Sequence, residues 1–423
     1  MATQLPLIAS PMADPLAWLG ALSNKKRTFV DSSSTLIHDI RQRQDRRLQN
    51  GYTDPVKSPR VVSQLPNQIE IAPITLLHAI GLITTPIIPK LADLSATWAL
   101  YRYVWAFDAH KSDLCLSSFA KDIDFHQKAV LSDEVGVGMA YWLFKEIFNA
   151  QAVVDVDVIL RNPQVANQMG IPPVMRNLGT VPDYMFLLPN DEYAIVECKG
   201  SQSGKNTSMA QIRRGLEQVP SIAFANGQMA QEFVVATLLS TYDTVVYVVD
   251  PPADRERWDD EADGSERDSV RRKFTIRDKA AFDQSVRRLH AANLLAFAGA
   301  GIQTIEIAGI EPLEGMPLRE QPLEKVSVDE IDASFLGYSF TIPFRGPVDV
   351  DLGIFQGLSQ EVYASISRGQ FLERDAEFRT EPRYWSRLAR YTDRRGTSFA
   401  TLVEKEKIYS FGRDGSFLQL SLG

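Results

Sequence analysis

Apolar positions in this chain fall into two periods, and the element type should change wherever the period does. In FHQKAVLSDEVGVGMAYWLFKEIF (Phe125 to Phe148), Val135, Met139, Trp142 and Leu143 recur at helical spacing, which predicts a helix over 133–148 capped by Ser132. Three strand-like runs follow: AVVDVDVIL (152–160), VPDYMFLLP (181–189) and EYAIVECK (192–199). SMAQIRRGLEQV (208–219) reads as a helix, EFVVATLL as a helical or extended run, and TVVYVVD (244–250) as a buried strand. The order helix–strand–strand–strand–helix–strand implies an α/β core with a mixed β-sheet flanked by helices.

The flanks have other patterns. The first 70 or so residues are polar and loop-rich, with one basic segment, RQRQDRR (Arg41 to Arg47), placed on a helix. From Pro73 to Phe107 the chain is apolar, aromatic and helical in pattern. Its most apolar run, PITLLHAIGLITTPIIPKL, is broken by His78, Pro86, Pro89 and Lys90, which suits a buried helix pair better than a membrane span. The charge run at 251–273 has no hydrophobic period and reads as an exposed or disordered insert. A helix over Lys279 to Phe297, a short strand at IQTIEIA, a helix near Gln360 to Arg368 and a final hairpin turning at Arg413-Asp414-Gly415 complete the expectations. The chain divides accordingly into a mostly helical N-terminal region (1–124), a core (125–310) and a C-terminal α+β region (311–423).

A length of 423 residues allows two or three such units, and 44% hydrophobic with 23% charged residues is ordinary for a soluble globular protein. Two cysteines, Cys115 and Cys198, cannot build a disulfide framework. Together with the lack of a charged segment followed by an apolar one at the amino terminus, they predict a reducing, cytoplasmic setting. The five histidines lack metal-ligand spacing. A net charge of −8 means that any nucleic acid must be held by a local basic patch.

Two chemistries compete for the stretch YAIVECKGSQSGKNTSMAQI (Tyr193 to Ile212). A phosphate-cradling loop needs G-x-x-x-x-G-K-[ST]. Here Gly200 and Gly204 are separated by three residues instead of four, and Asn206 follows Lys205 where a hydroxyl should ligate magnesium. The carboxylates offer more. Strand alternation puts Tyr193, Ile195, Glu197 and Lys199 on one face. Asp183 lies on the preceding strand, across a short turn. If Leu188 faces Glu192, a three-residue loop, Asp183 faces Glu197; a five-residue loop sets it opposite Lys199 on the same side. A four-residue loop pairs it with Cys198 and points it away. Two carboxylates so close repel, and a divalent cation such as Mg²⁺ or Mn²⁺ reverses that.

The pattern Pro182-Asp183, thirteen intervening residues, then Glu197-Cys198-Lys199, resembles the PD-(D/E)xK nuclease superfamily, which includes restriction endonucleases, DNA-repair nucleases and anti-phage effectors. The resemblance covers about residues 126–250. It implies a restriction-endonuclease-like core and a Mg²⁺-dependent nuclease acting on DNA more than on RNA. In it Asp183, Glu197 and the Cys198 carbonyl bind the metal, and Lys199 is the catalytic lysine. A helix glutamate is implied at Glu134, with Asp133 as an adjacent competitor, and a helix glutamine at Gln211, although Ser208-x-x-Gln211 also fits a capping box. Lys205, Arg213 and Arg214 could contact phosphate. Restriction or anti-phage defence is the setting by analogy, with homo-oligomers or protein partners formed through the terminal regions. The rival expectation is a non-catalytic nucleic-acid-binding or assembly protein on the same fold.

Overall fold

The computed structural model describes residues 14–50, 59–87, 102–118, 120, 123–161, 166–167, 182–219, 221–224, 227–228, 230–250, 273–310, 322–344, 349–369, 382–388 and 398–423. The chain is mixed α/β. Its main sheet is built from β1 (Lys26–Asp31), β2 (Gln68–Ile71), β3 (Ala152–Asp155), β4 (Tyr184–Leu187), β5 (Tyr193–Ser201), β7 (Gln231–Leu239) and β8 (Thr244–Val249), in the order β2-β1-β8-β7-β5-β4-β3. The short β6 (Ser221–Phe224) pairs separately with β9 (Lys273–Ile276). β5 runs parallel to β7 and β1 parallel to β8, while the other pairs are antiparallel, so the sheet is mixed. The first 124 residues thus contribute strands as well as helices to the same sheet.

β5 is central because both its faces are apolar. Ala194, Val196 and Cys198 join the cluster of Val135, Met139 and Leu143 from the Phe125–Glu146 helix. Tyr193 and Ile195 join Met209, Ile212 and Leu216 from the Lys205–Gln218 helix on the opposite face. Burying a side chain of this size stabilises by about 1.5–3 kcal/mol, so each helix is held by its face rather than by propensity.

Three local expectations are corrected. The helix expected at 133–148 begins at Phe125, because the Asp124 side chain accepts from the His126 and Gln127 N–H groups; Ser132 lies inside it and donates its hydroxyl to the Lys128 carbonyl. The strand expected over 152–160 stops at Asp155, whose carboxylate accepts from the Asp157 and Val158 N–H groups and starts a helix at Val156–Arg161. IQTIEIA is helical, within Gly301–Ala308, with Thr304, Ile305 and Ala308 as its buried stripe and Gly309 closing it at φ 66. In that segment β-branched residues mimic a strand, and burial at helical spacing prevails. EFVVATLL is extended, as part of β7. The charge run, apart from Lys273, lies outside the described residues.

The C-terminal sheet has the order β10 (Glu324–Val328), β11 (Ala333–Phe344), β12 (Val350–Ser359), β15 (Ser416–Leu422), β14 (Lys407–Gly412), β13 (Phe399–Glu404). One face holds its own aromatic cluster of Phe335, Phe411, Phe417, Tyr384 and Trp385. The other packs Ile354, Ile408, Leu418 and Leu420 into the cluster of the Pro73–Thr84 and Phe125–Glu146 helices. Within that contact Lys145 and Asp414 form a buried ion pair at 3.3 Å. Among the described residues no helix is long and apolar enough to cross a membrane.

Candidate functional site

Pro189, Asn190 and Asp191 set the geometry of the site. They form one tight turn between β4 and β5, with Asn190 at φ 63 and Asp191 at φ 56, in the left-handed region that Asn and Asp tolerate best. The Leu188 N–H donates to the Glu192 carbonyl at 2.8 Å, so the loop is three residues long. The ladder runs from Leu187 opposite Tyr193 to Tyr184 opposite Val196, and one further step sets Asp183 opposite Glu197. The four-residue loop that would turn Asp183 away is not formed.

β4 begins only at Tyr184, which leaves the Cys198 N–H without a strand partner on that edge. The Asp183 carboxylate accepts it instead, at 2.7 Å. The Cys198 carbonyl leaves β5 on the same edge as its N–H. Glu197 is fully buried; its Oε1 accepts from Lys199 Nζ, and among the described residues its Oε2 has no hydrogen-bond partner within 3.5 Å. Burial, and then the negative charge of Asp183, push the Glu197 carboxyl up to about 8, against the pull of Lys199 and of the Asp183 backbone N–H. Burial also raises Asp183, partly offset by the Cys198 N–H and Lys199. For Lys199 burial acts downward, but the charge and hydrogen bond of Glu197 outweigh it and hold the ammonium above its ordinary range.

The two helix acids part company. Glu134 faces the Tyr103 phenol and the Arg102 guanidinium, and burial raises its carboxyl. Asp133 is the one whose charge reaches Lys199 and Asp183. Because the helix starts at Phe125, both lie well inside it, and helical rotation decides which one faces the strand end. Asp133 and Glu134 also border a pocket of about 290 Å³ shared with Asp155, Tyr184 and Asn293. Burial pushes Asp155 up to about 6.

Glycines bring the helices close enough for these contacts. A Cβ on Gly200 would lie 1.7 Å from the Ser132 carbonyl oxygen, and one on Gly136 would lie 2.8 Å from that of Lys199. The Phe125–Glu146 helix therefore rests directly on the end of β5. On the other face a Cβ on Gly215 would lie 3.2 Å from Glu197 Cγ, so the Lys205–Gln218 helix roofs the carboxylate. A glycine just after Glu197-Cys198-Lys199 within a strand was the available signal for such a close approach. Gly200→Ala should push helix and strand apart, at a cost of about 1–3 kcal/mol. A lower melting temperature would show it, and an unchanged one would mean that the backbone yields without strain.

Gln211 donates its amide to the Gly200 carbonyl at 2.9 Å. Its helix starts at Lys205 behind Gly204, so the capping box at Ser208 is not formed. Lys205 pairs with Asp39 at 3.0 Å on the Ser34–Gln49 helix. Arg214 is exposed and Arg213 half-buried on the Lys205–Gln218 helix. Among the described residues no group of three or more His, Cys, Asp or Glu side chains is arranged to hold a metal ion. The oxygen donors present at the strand end are Asp183, the unpartnered Oε2 of Glu197 and the Cys198 carbonyl.

Compared with family models, with curated proteins and with solved structures, the chain matches none.

Proposed function

We propose that this chain is a metal-dependent nuclease that hydrolyses phosphodiester bonds, DNA before RNA, on a restriction-endonuclease-like core. The observation that carries it is the three-residue turn that sets Asp183 opposite Glu197, with Lys199 hydrogen-bonded to a glutamate whose second oxygen is buried and unpartnered. Leaving such an oxygen unsatisfied costs about 1–3 kcal/mol, more if it is charged. A hard cation would remove that cost, and it would also relieve the repulsion between Asp183 and Glu197. The helix before the hairpin and the helix after it are the context that the resemblance calls for.

Asp183, Glu197 and the Cys198 carbonyl fit Mg²⁺ or Mn²⁺, which prefer oxygen donors. When bound, the ion would polarise a phosphodiester and lower the pKa of a water. Asp133 is better placed than Glu134 to add a carboxylate. Lys199 stays cationic and can stabilise the charge that builds on phosphorus. Gln211 holds the backbone beside Lys199 through the Gly200 carbonyl. Restriction or anti-phage defence is the setting suggested by the resemblance; the two cysteines suggest a reducing, cytoplasmic one, and the terminal regions, outside the resemblance, are where oligomers or protein partners would form.

Supercoiled plasmid and a matched RNA, each with Mg²⁺ or Mn²⁺, test the reading. Lys199→Ala, Asp183→Ala and Asp133→Asn should each slow cleavage by about 10²-fold or more, as removal of one transition-state contact does. Glu134→Gln should change it less than Asp133→Asn. Equal cleavage by every variant would assign the activity to another site. No cleavage of either substrate by the wild type would favour the non-catalytic binding protein.

A further inference from the structure

Two basic segments of this acidic chain meet on one face of the main sheet. Leu36, Ile37 and Ile40 of the Ser34–Gln49 helix share an apolar cluster with Met209, Ile212 and Leu216 of the Lys205–Gln218 helix. Arg43 donates to the Asn206 side chain at 2.7 Å, and Lys205 pairs with Asp39 at 3.0 Å, so the helices touch near the start of the second. Together they hold seven arginine or lysine residues, Arg41, Arg43, Arg46, Arg47, Lys205, Arg213 and Arg214, against three acidic ones, in a chain of net charge −8. Arg41, Arg46, Lys205 and Arg214 are exposed.

We propose that this joint surface binds the phosphate backbone of the nucleic acid and guides it to the carboxylate site, an inference that rests on the nuclease reading. The same Lys205–Gln218 helix that carries Arg213 and Arg214 roofs Glu197 through Gly215 and holds Gly200 through Gln211. The surface therefore adjoins the proposed chemistry. Its extent suits a linear polyanion: sixteen residues of helix span about 24 Å, enough to follow several phosphates. None of the large apolar side chains exposed among the described residues lies on either helix, so those side chains offer no wedge of the kind a lipid-inserting helix presents. The average field of the chain repels nucleic acid, which makes a local surface of this kind necessary for binding.

The test is equilibrium binding of full-length protein to a fluorescent DNA duplex of arbitrary sequence and to the matching RNA, in chelator, over a range of NaCl concentrations. Arg46→Glu with Arg214→Glu should weaken binding about tenfold or more and reduce the slope of log affinity against log salt by about 2. Arg46→Lys with Arg214→Lys should bind as the wild type does, which separates charge from misfolding. Lys325→Glu with Lys407→Glu makes the same change in net charge on exposed positions of the C-terminal sheet and should have less than a twofold effect. Equal weakening by both reversals, wild-type binding by Arg46→Glu with Arg214→Glu, no binding by the wild type, or a preference for vesicles of anionic lipid would each overturn the proposal. Cleavage reports separately. Salt-sensitive binding lost in the reversal, with no cleavage by the wild type, would sink the nuclease reading and leave the surface standing. Cleavage that needs Lys199, with binding untouched by the reversal, would do the opposite.

Discussion

Glu197→Gln should make the metal-free protein more stable at pH 8 and, in the same variant, remove cleavage. Glu197 is fully buried, and one carboxylate oxygen has no hydrogen-bond partner among the described residues. In the folded chain the carboxyl titrates near 8, against 4.5 for the free group, chiefly because of burial and then Asp183. A carboxyl raised in this way contributes stability that is full below about 4.5 and lost as the pH rises through about 8. Asp183, also raised, acts in the same direction, while Lys199 stays charged throughout that window. Glutamine cannot ionise, so the variant should match the wild type near pH 5 and exceed it by about 1–3 kcal/mol at pH 8 in chelator. The Lys199 side chain, at 22% exposure, can be solvated when its partner is neutral. Mn²⁺ should raise the melting temperature of the wild type and leave that of the variant unmoved, and plasmid cleavage by the variant should fall by about 10²-fold or more. Melting curves at pH 5 and pH 8, with and without Mn²⁺, check this. If the variant melts lower at pH 8 and still cleaves, Glu197 is only the ion-pair partner of Lys199.

Asp414→Asn should be among the most destabilising single substitutions in the chain. Asp414 lies at the turn between β14 and β15, with its side chain 2% exposed, and Lys145 on the Phe125–Glu146 helix is 6% exposed. The Tyr141 hydroxyl donates to one carboxylate oxygen at 3.2 Å, and the Ser416 N–H and hydroxyl donate to the other at 3.1 and 2.6 Å. Burial alone would raise this carboxyl, yet Lys145, His290 and the Ser416 donors hold it far below the usual carboxylate range. Removing its charge strands the Lys145 ammonium, at a cost of about 3–5 kcal/mol. Hydrogen exchange should show the loss first at 398–423, and Lys145→Met in the same chain should recover part of it. Acid should act at the same interface. Burial holds His78 near 4 and His290 near 3, so both oppose protonation; stability should fall as the pH drops below about 6.5, and the loss from Asp414 follows below about 4. Additive effects of Asp414→Asn and Lys145→Met, with no recovery, would show that the pair is not coupled.

Much of the core was legible because its elements are each buried on a regular stripe. β4, β5 and β8 and the Lys279–Phe297 helix lie where periodicity put them. Two of the three errors share a cause: one short side chain outweighed a hydrophobic pattern. Asp124 starts a helix eight residues before the expected cap, and Asp155 turns a strand-like run into helix. At the site, Asp183, Glu197 and Lys199 could be named from residue type and alternation. Glu134 is placed ahead of Asp133 by the resemblance alone, since neighbours along a helix point about 100° apart and the answer lies in how the helix is rotated on the strand.

By itself the sequence determined that β5 would be a covered strand ending in a carboxylate and a lysine, and that Asp183 would join them only if the loop were odd. Alternation and turn chemistry are local, and they act within a few residues. Only the tertiary structure decided that the loop has three residues, that the charge of Asp133 rather than that of Glu134 reaches Lys199, and that Arg43 touches Asn206. It also decided that a second sheet locks onto the core through Lys145 and Asp414. Those outcomes depend on which surfaces bury each other across long stretches of chain, and that is settled by packing shape and desolvation rather than by any one segment.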